Sequence, residues 1–184
     1  MTPTPEVVPR APARGFDNHA FRLALGRFAT GVIVVTAGPR RAPRAMTANA
    51  FMSGSLDPPL IVVSVGRTAR MHDRLAGVRR FGVSILGGQQ EMESRYFAGQ
   101  AVAGFAPAFG TLAGVVVLAR APVTMAVRIE HRYACGDHTL FVGEVEQLSV
   151  EEDTPPLVFY GGRYRALRAS GPPDRAPEPY PSFF

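Results

Sequence analysis

Residues 45–65, "AMTANAFMSGSLDPPLIVVSV", place hydroxyls, an amide and very little bulk directly before an apolar run. Thr47, Asn49, Ser53 and Ser55 offer donors and acceptors, and small neighbours such as Ala48 and Ala50 let a ligand approach the backbone closely. A flat heterocycle with a polar edge needs this combination. Backbone N–H groups of 48–50 would suit the side of such a ring where negative charge develops on reduction. A polar loop leaving the core would carry the same residues.

Three other stretches bear chemistry. In "SVGRTAR", 64–70, Thr68 is positioned to cap a helix over 69–76. The first N–H groups of that helix, with Arg67 or Arg70, would make an anion site suited to a phosphate. An ordinary capped helix reads the same way. In "GDHTLF", 136–141, Gly136-Asp137 suits a hairpin turn and sets His138 at a strand end, where it could bond a carboxamide, donate to a phosphate or assist proton movement. In "FYGGRYRAL", 159–167, Tyr160, Arg163 and Tyr164 surround a glycine pair. They could stack on an anionic ligand or form a seam between two copies.

Other chemistries find little support. The chain has one cysteine, Cys135, so no intrachain disulfide forms. His19, His72 and His131 lack metal-ligand spacing, and no metal is expected. His131 shares strand parity with Ile129 and is expected to be partly buried. There is no Walker loop, Rossmann fingerprint or GxSxG elbow. Net charge is +5, carried by 20 arginines and no lysine. The arginines are dispersed, so no nucleic-acid partner is expected. No apolar run approaches a bilayer span and the N-terminus has no signal-like apolar region, which points to a cytoplasmic protein without a membrane partner.

The elements that must position these residues are mostly strands. Asp17 caps a helix over 18–29 whose Phe21, Leu25 and Phe28 share one face. "VIVVT" at 32–36 is a strand, and 44–52 return as its partner. Further strands are expected at 60–65, 80–86, 114–119, 122–134, 138–149 and 157–160, with a helix at 89–98 that stacks Met92 on Tyr96. Residues 99–112 read as a loop long enough to be a lid or partner contact. The prolines gather at the ends, so the expected organisation is a mobile arm at 1–15, one domain over 16–168 and a Pro-rich tail at 169–184. Strands without regular intervening helices favour a mainly β Greek-key antiparallel barrel or sandwich with a few short peripheral helices.

"FRLALGRFATGVIVVTA", "MTANAFMSGSLDPPLIVVSV", "RFGVSIL", "GDHTLFVGEV" and "LVFYGGRY", in this order, resemble the short-chain flavin reductase family, the reductase components of two-component flavin-dependent monooxygenases. The resemblance spans about 17–167. It implies an FMN-binding split barrel, usually a homodimer, that reduces FMN or FAD with NADH or NADPH. It also implies diffusible reduced flavin, supplied to a separate monooxygenase. By the same resemblance Met46, Thr47, Ala48, Asn49, Ala50, Ser53 and Ser55 line the isoalloxazine. Ser64, Arg67, Thr68 and Arg70 face the ribityl phosphate. Phe81, Gly82 and Ser84 help to close the flavin pocket, and Gly136, Asp137 and His138 approach the nicotinamide. Ala50 stands where the family commonly has serine, and Met71 where it often has a hydroxyl residue. A related barrel acting on a corrinoid, iron complex or deazaflavin is the alternative, as is a flavin-binding protein without activity.

Overall fold

The computed structural model describes residues 15–100, 103–151 and 154–167. The expected arms at 1–15 and 169–184 lie outside these, apart from Gly15. The helices are α1 (Asn18–Leu25), α2 (Arg70–Ala76) and α3 (Glu91–Phe97). The strands are β1 (Thr30–Gly31), β2 (Ile33–Ala37), β3 (Arg44–Ala48), β4 (Phe51–Leu56), β5 (Pro59–Gly66) and β6 (Arg80–Ile85). They continue with β7 (Phe109–Leu112), β8 (Val115–Leu118), β9 (Val123–Cys135), β10 (His138–Val150), β11 (Val158–Tyr160) and β12 (Arg163–Arg165).

Seven strands form one antiparallel sheet in the order β3-β2-β6-β9-β10-β5-β4. Its two edges, β3 and β4, are consecutive in the chain and joined only by Asn49 and Ala50. Laid flat, seven strands would separate those edges by about 29 Å. The link from Ala48 to Phe51 reaches at most about 11 Å. The sheet must therefore curl until its edges meet, which makes the expected Greek-key split barrel, closed at one end by a two-residue corner. The Phe51 N–H donates to the Asn49 carbonyl at 3.0 Å and tightens that corner.

Alternation fills the barrel. Ile33 and Val35 of β2, Val63 and Val65 of β5, Phe81 and Val83 of β6 and Phe141 of β10 pack inside. Each such buried side chain contributes roughly 1.5–3 kcal/mol. β2 is buried along its whole length because its other face is covered too: Val34, and Val32 just before the strand, pack with Leu86, Leu118 and Leu157. The β7–β8 hairpin makes part of that cover. The Thr36 hydroxyl donates to the Val116 carbonyl, and the Leu118 N–H donates to Ser84 Oγ at 2.9 Å. β7 falls within the stretch expected to be structureless.

Three further expectations are corrected. α1 keeps its Asp17 cap, with the Ala20 N–H donating to Oδ1 at 2.7 Å, but ends at Leu25. Its apolar residues are not covered, Phe21 and Leu25 being 47 and 57% exposed, and Phe28, now beyond the helix, is 76% exposed. α2 begins at Arg70 after Ala69, with no side-chain cap, so Thr68 does not cap it. His131 is exposed, because the β9–β10 register shifts between Val142, opposite His131, and Gly143, opposite Ile129. A bulge at Glu130 cancels the parity argument.

Candidate functional site

Asn49 of the closing corner lines a cleft of about 480 Å³. Thr47, Ala48 and Asn49 form one wall. Glu91, Ser94 and Arg95 of α3 form a second, and Phe159, Arg163 and Tyr164 of the β11–β12 hairpin a third. Among the described residues, the N–H groups of Asn49 and Ala50 have no protein acceptor. The expectation for the edge of a planar ligand was the N–H groups of 48–50, and these two adjacent donors belong to that stretch.

The walls are tied through Ser94, whose side chain is fully buried. Its hydroxyl lies 2.8 Å from the Tyr164 hydroxyl, and its carbonyl accepts from Thr47 Oγ1 at 2.7 Å. The Thr47 proton is thus committed to the scaffold and only its lone pairs remain for a ligand. The Tyr164 ring is held from two sides, edge-on to Phe159 at 5.4 Å and under the Arg95 guanidinium at 4.9 Å. Arg95 is steadied by Glu91 one turn earlier, at 2.6 Å. Ser94, Arg95, Glu91 and Gln100 were not singled out by sequence. Ser94 in a seven-residue helix carries no local signal, since its burial comes from α3 crossing β3.

A second group gathers at the barrel rim beyond the corner. Ser64 N–H donates to Ala50 O at 3.0 Å, which joins the corner to β5. Two residues further, Gly66 pairs with His138, and the Arg67 N–H donates to Asp137 O at 2.9 Å. Arg67, Thr68, Gly136, Asp137 and His138 therefore lie together, which the sequence reading, giving the two motifs separate tasks, did not anticipate. Gly136 has φ +59°, a turn conformation that favours glycine. The His138 ring lies over Gly66, and its Nδ1–H donates to Asp137 Oδ1 at 2.7 Å. That bond lowers the Asp137 pKa, with the imidazole's charge adding to it. Nε2 is the ring atom closest to Gly66.

Other expected residues lie elsewhere. Phe81 is buried inside the barrel, Ser84 is buried against β8, and Gly82 faces Val116, where a Cβ would overlap the carbonyl and the Thr36 hydroxyl. None of the three lines the cleft; they pack β6 between the barrel interior and the β7–β8 hairpin. Ser53 and Ser55 lie along the edge strand β4, and Tyr160 ends β11 outside the cleft lining. Met46 packs against the inner core, Met71 is buried in it, and Arg70 opens α2. Among the described residues there is no cluster of three His, Cys, Asp or Glu able to hold a metal, and no helix long and apolar enough to cross a membrane.

A profile of the flavin reductase like domain matches residues 25–168. An NADH-dependent flavin reductase of Rhodococcus sp. is 44% identical over 153 residues, covering 82% of this chain and 86% of its own. The reductase component of 4-hydroxyphenylacetate 3-monooxygenase from Thermus thermophilus is 41% identical over 150 residues, covering 82% and 97%. The solved structure of the flavin reductase PheA2 superposes with a TM-score of 0.80 at 39% identity, covering 84% of this chain and all of its own. On profile, relatives and shared barrel alike, the chain belongs to the flavin reductase-like family.

Proposed function

We propose that the protein is an NAD(P)H:flavin oxidoreductase that reduces FMN or FAD and hands the reduced flavin to a separate flavin-dependent monooxygenase. The observation that carries the reading is the unpaired N–H of Asn49, a residue that lines a cleft with an aromatic wall, with the unpaired N–H of Ala50 next to it in the chain. This donor set fits the carbonyl edge of an isoalloxazine. Small side chains there admit the ring, and Tyr164 and Phe159 offer apolar surface to it. Arg95, Arg163 and Arg165 supply positive charge around the cleft.

When both are bound, nicotinamide and flavin supply hydride transfer from C4 to N5. The chain's part is to bind and orient. Asn49 and Ala50 N–H groups stabilise negative charge at the ring edge. His138 Nε2, its tautomer set by Asp137, orients a carboxamide at the rim. Ser94 keeps Thr47 and Tyr164 in place and excludes water behind the cleft.

The Rhodococcus relative, an NADH-dependent flavin reductase, supports the flavin reduction, and the Thermus relative, the reductase component of a monooxygenase, supports the partner oxygenase. We assign a homodimer as well, because a second copy would cover the bare apolar face of α1. The free exposed Cys135 suits a reducing cytoplasm. The test is anaerobic mixing of purified protein with FMN or FAD and NADH or NADPH. Flavin bleaching far faster than in protein-free controls is expected. No acceleration in any pairing, with folded protein, overturns the reading. Sedimentation at micromolar concentration should give twice the chain mass, and Phe28→Asp should shift it towards the monomer.

A further inference from the structure

The turn that carries His138 has few ties to the rest of the fold. The bond between His138 and Asp137 is internal to it and moves with it. Its backbone is held to the end of β5 by the Arg67 N–H, and Gly136 is its least restricted residue. Over residues 133–141, a single side-chain hydrogen bond reaches another of the described elements. Thr139 Oγ1 lies 2.9 Å from Nε2 of His72, on α2.

His72 suits that contact. α2 is pinned by Met71 and Leu75, both buried in the barrel core, and the His72 side chain is only 19% exposed. Its ring meets Phe141 edge-on at 5.7 Å, so the apolar body packs while the polar tip bonds. Nδ1 is buried and has no hydrogen-bond partner among the described residues; the Asp73 carboxylate, 3.6 Å away, is beyond hydrogen-bond range. The proton of the neutral ring therefore belongs on Nε2, which donates to Thr139 Oγ1. Thr139 shares the inward face of β10 with Phe141, and its neighbour His138 takes the outward face over Gly66. Fixing Thr139 fixes the backbone from which His138 projects.

We propose that His72 is a positioning residue for His138: through Thr139 it holds the turn against α2, so that the imidazole meets a nicotinamide in one place. Its effect on the ligand passes through His138. A hydrogen bond that orders the turn beforehand spares the ligand that cost on binding. The consequence for nicotinamide rests on the reductase reading; the tie between α2 and β10 does not.

The test has two arms on the full chain. His72→Phe keeps a ring against Phe141 and deletes Nε2, and His72→Gln restores a donor to Thr139. The first arm is amide exchange without cofactors. In His72→Phe the Arg67 amide, which donates to the turn, should exchange about fivefold faster, with β2 unchanged and the Gln variant restored. An Arg67 amide that exchanges as in wild type, or β2 amides that speed up equally, overturns the tie. The second arm is steady-state reduction. His72→Phe should raise nicotinamide KM about threefold and leave kcat and flavin KM within twofold. In a His138→Ala background it should add nothing, since both changes act on one contact. A nicotinamide KM that stays put, a flavin KM that rises as much, or an additive rise in the His138→Ala background overturns the positioning role. Faster Arg67 exchange in a protein that reduces no flavin keeps the tie and overturns the reductase reading instead.

Discussion

Ser94 is fully buried and bonded to two walls of the cleft, whereas the His138 side chain is 45% exposed and has one side-chain hydrogen-bond partner, its own neighbour Asp137. The cleft is built from elements distant in sequence, β3, α3 and the β11–β12 hairpin, each locked against the others. The rim is built from one hairpin turn and the end of β5, with solvent on most sides. The difference separates two tasks. A ligand edge that must meet fixed donors is served by a rigid wall, since preorganised donors do not have to reorient. A second ligand that must arrive and leave each cycle is served by an open one. The proposed flavin and nicotinamide positions follow this division.

Substitutions can break the division or sharpen it. Ala50→Pro removes one of the two free donors at little change in volume, and kcat/KM for flavin should fall by about a hundredfold or more, as for loss of an oxyanion-type donor. Equal rates in stopped-flow reduction would detach the corner from the chemistry. Ser94→Ala leaves the Tyr164 hydroxyl without its partner, which should raise flavin KM about tenfold, with a melting temperature lowered by a few degrees. The rim should respond differently. His138→Ala should raise nicotinamide KM about fivefold, the scale of one hydrogen bond, and leave flavin KM within twofold. A flavin KM that moves as much as the nicotinamide KM would erase the distinction.

Asp137 gives the smallest effect and a sign that can be checked. Its pKa is lowered by the His138 bond, so it stays ionised as pH falls through about 4, the ordinary aspartate range. The contribution of this pair to folding is present above that range and is lost only as pH drops through the lowered folded value. Nicotinamide KM should carry no Asp137 titration between pH 5 and 8. Asp137→Asn should raise it about twofold to threefold, less than losing the imidazole.

Much of this was legible in the sequence because it is local. The small polar stretch, the β-branched runs, the Asp17 cap and the Gly136-Asp137 turn each depend on a few adjacent residues. The barrel followed from strand succession and the resemblance together. What escaped depends on crossings. Ser94 looks like any helical serine until α3 meets β3. Gly82 and Ser84 look available for a ligand until the β7–β8 hairpin covers β6. His131 alternates with Ile129 on paper, and one bulge turns it outward. The apolar spacing of Phe21 and Leu25 was legible, whereas its lack of cover within the chain was not, because that depends on which elements pack against α1.

The corner at Asn49 and Ala50 has a thermodynamic consequence. Those two residues alone join the edges of the seven-stranded sheet at that end, so a ligand on their N–H groups also clasps the seam of the barrel. Loosening the seam and releasing the ligand then become coupled events. Occupancy at a hundred times the dissociation constant would add about 2.7 kcal/mol to the resistance of the fold. Amide exchange along β3 and β4 should slow with it, while the far end of the β9–β10 hairpin exchanges as before. Flavin supply would then set how long each molecule stays folded as well as how fast it works.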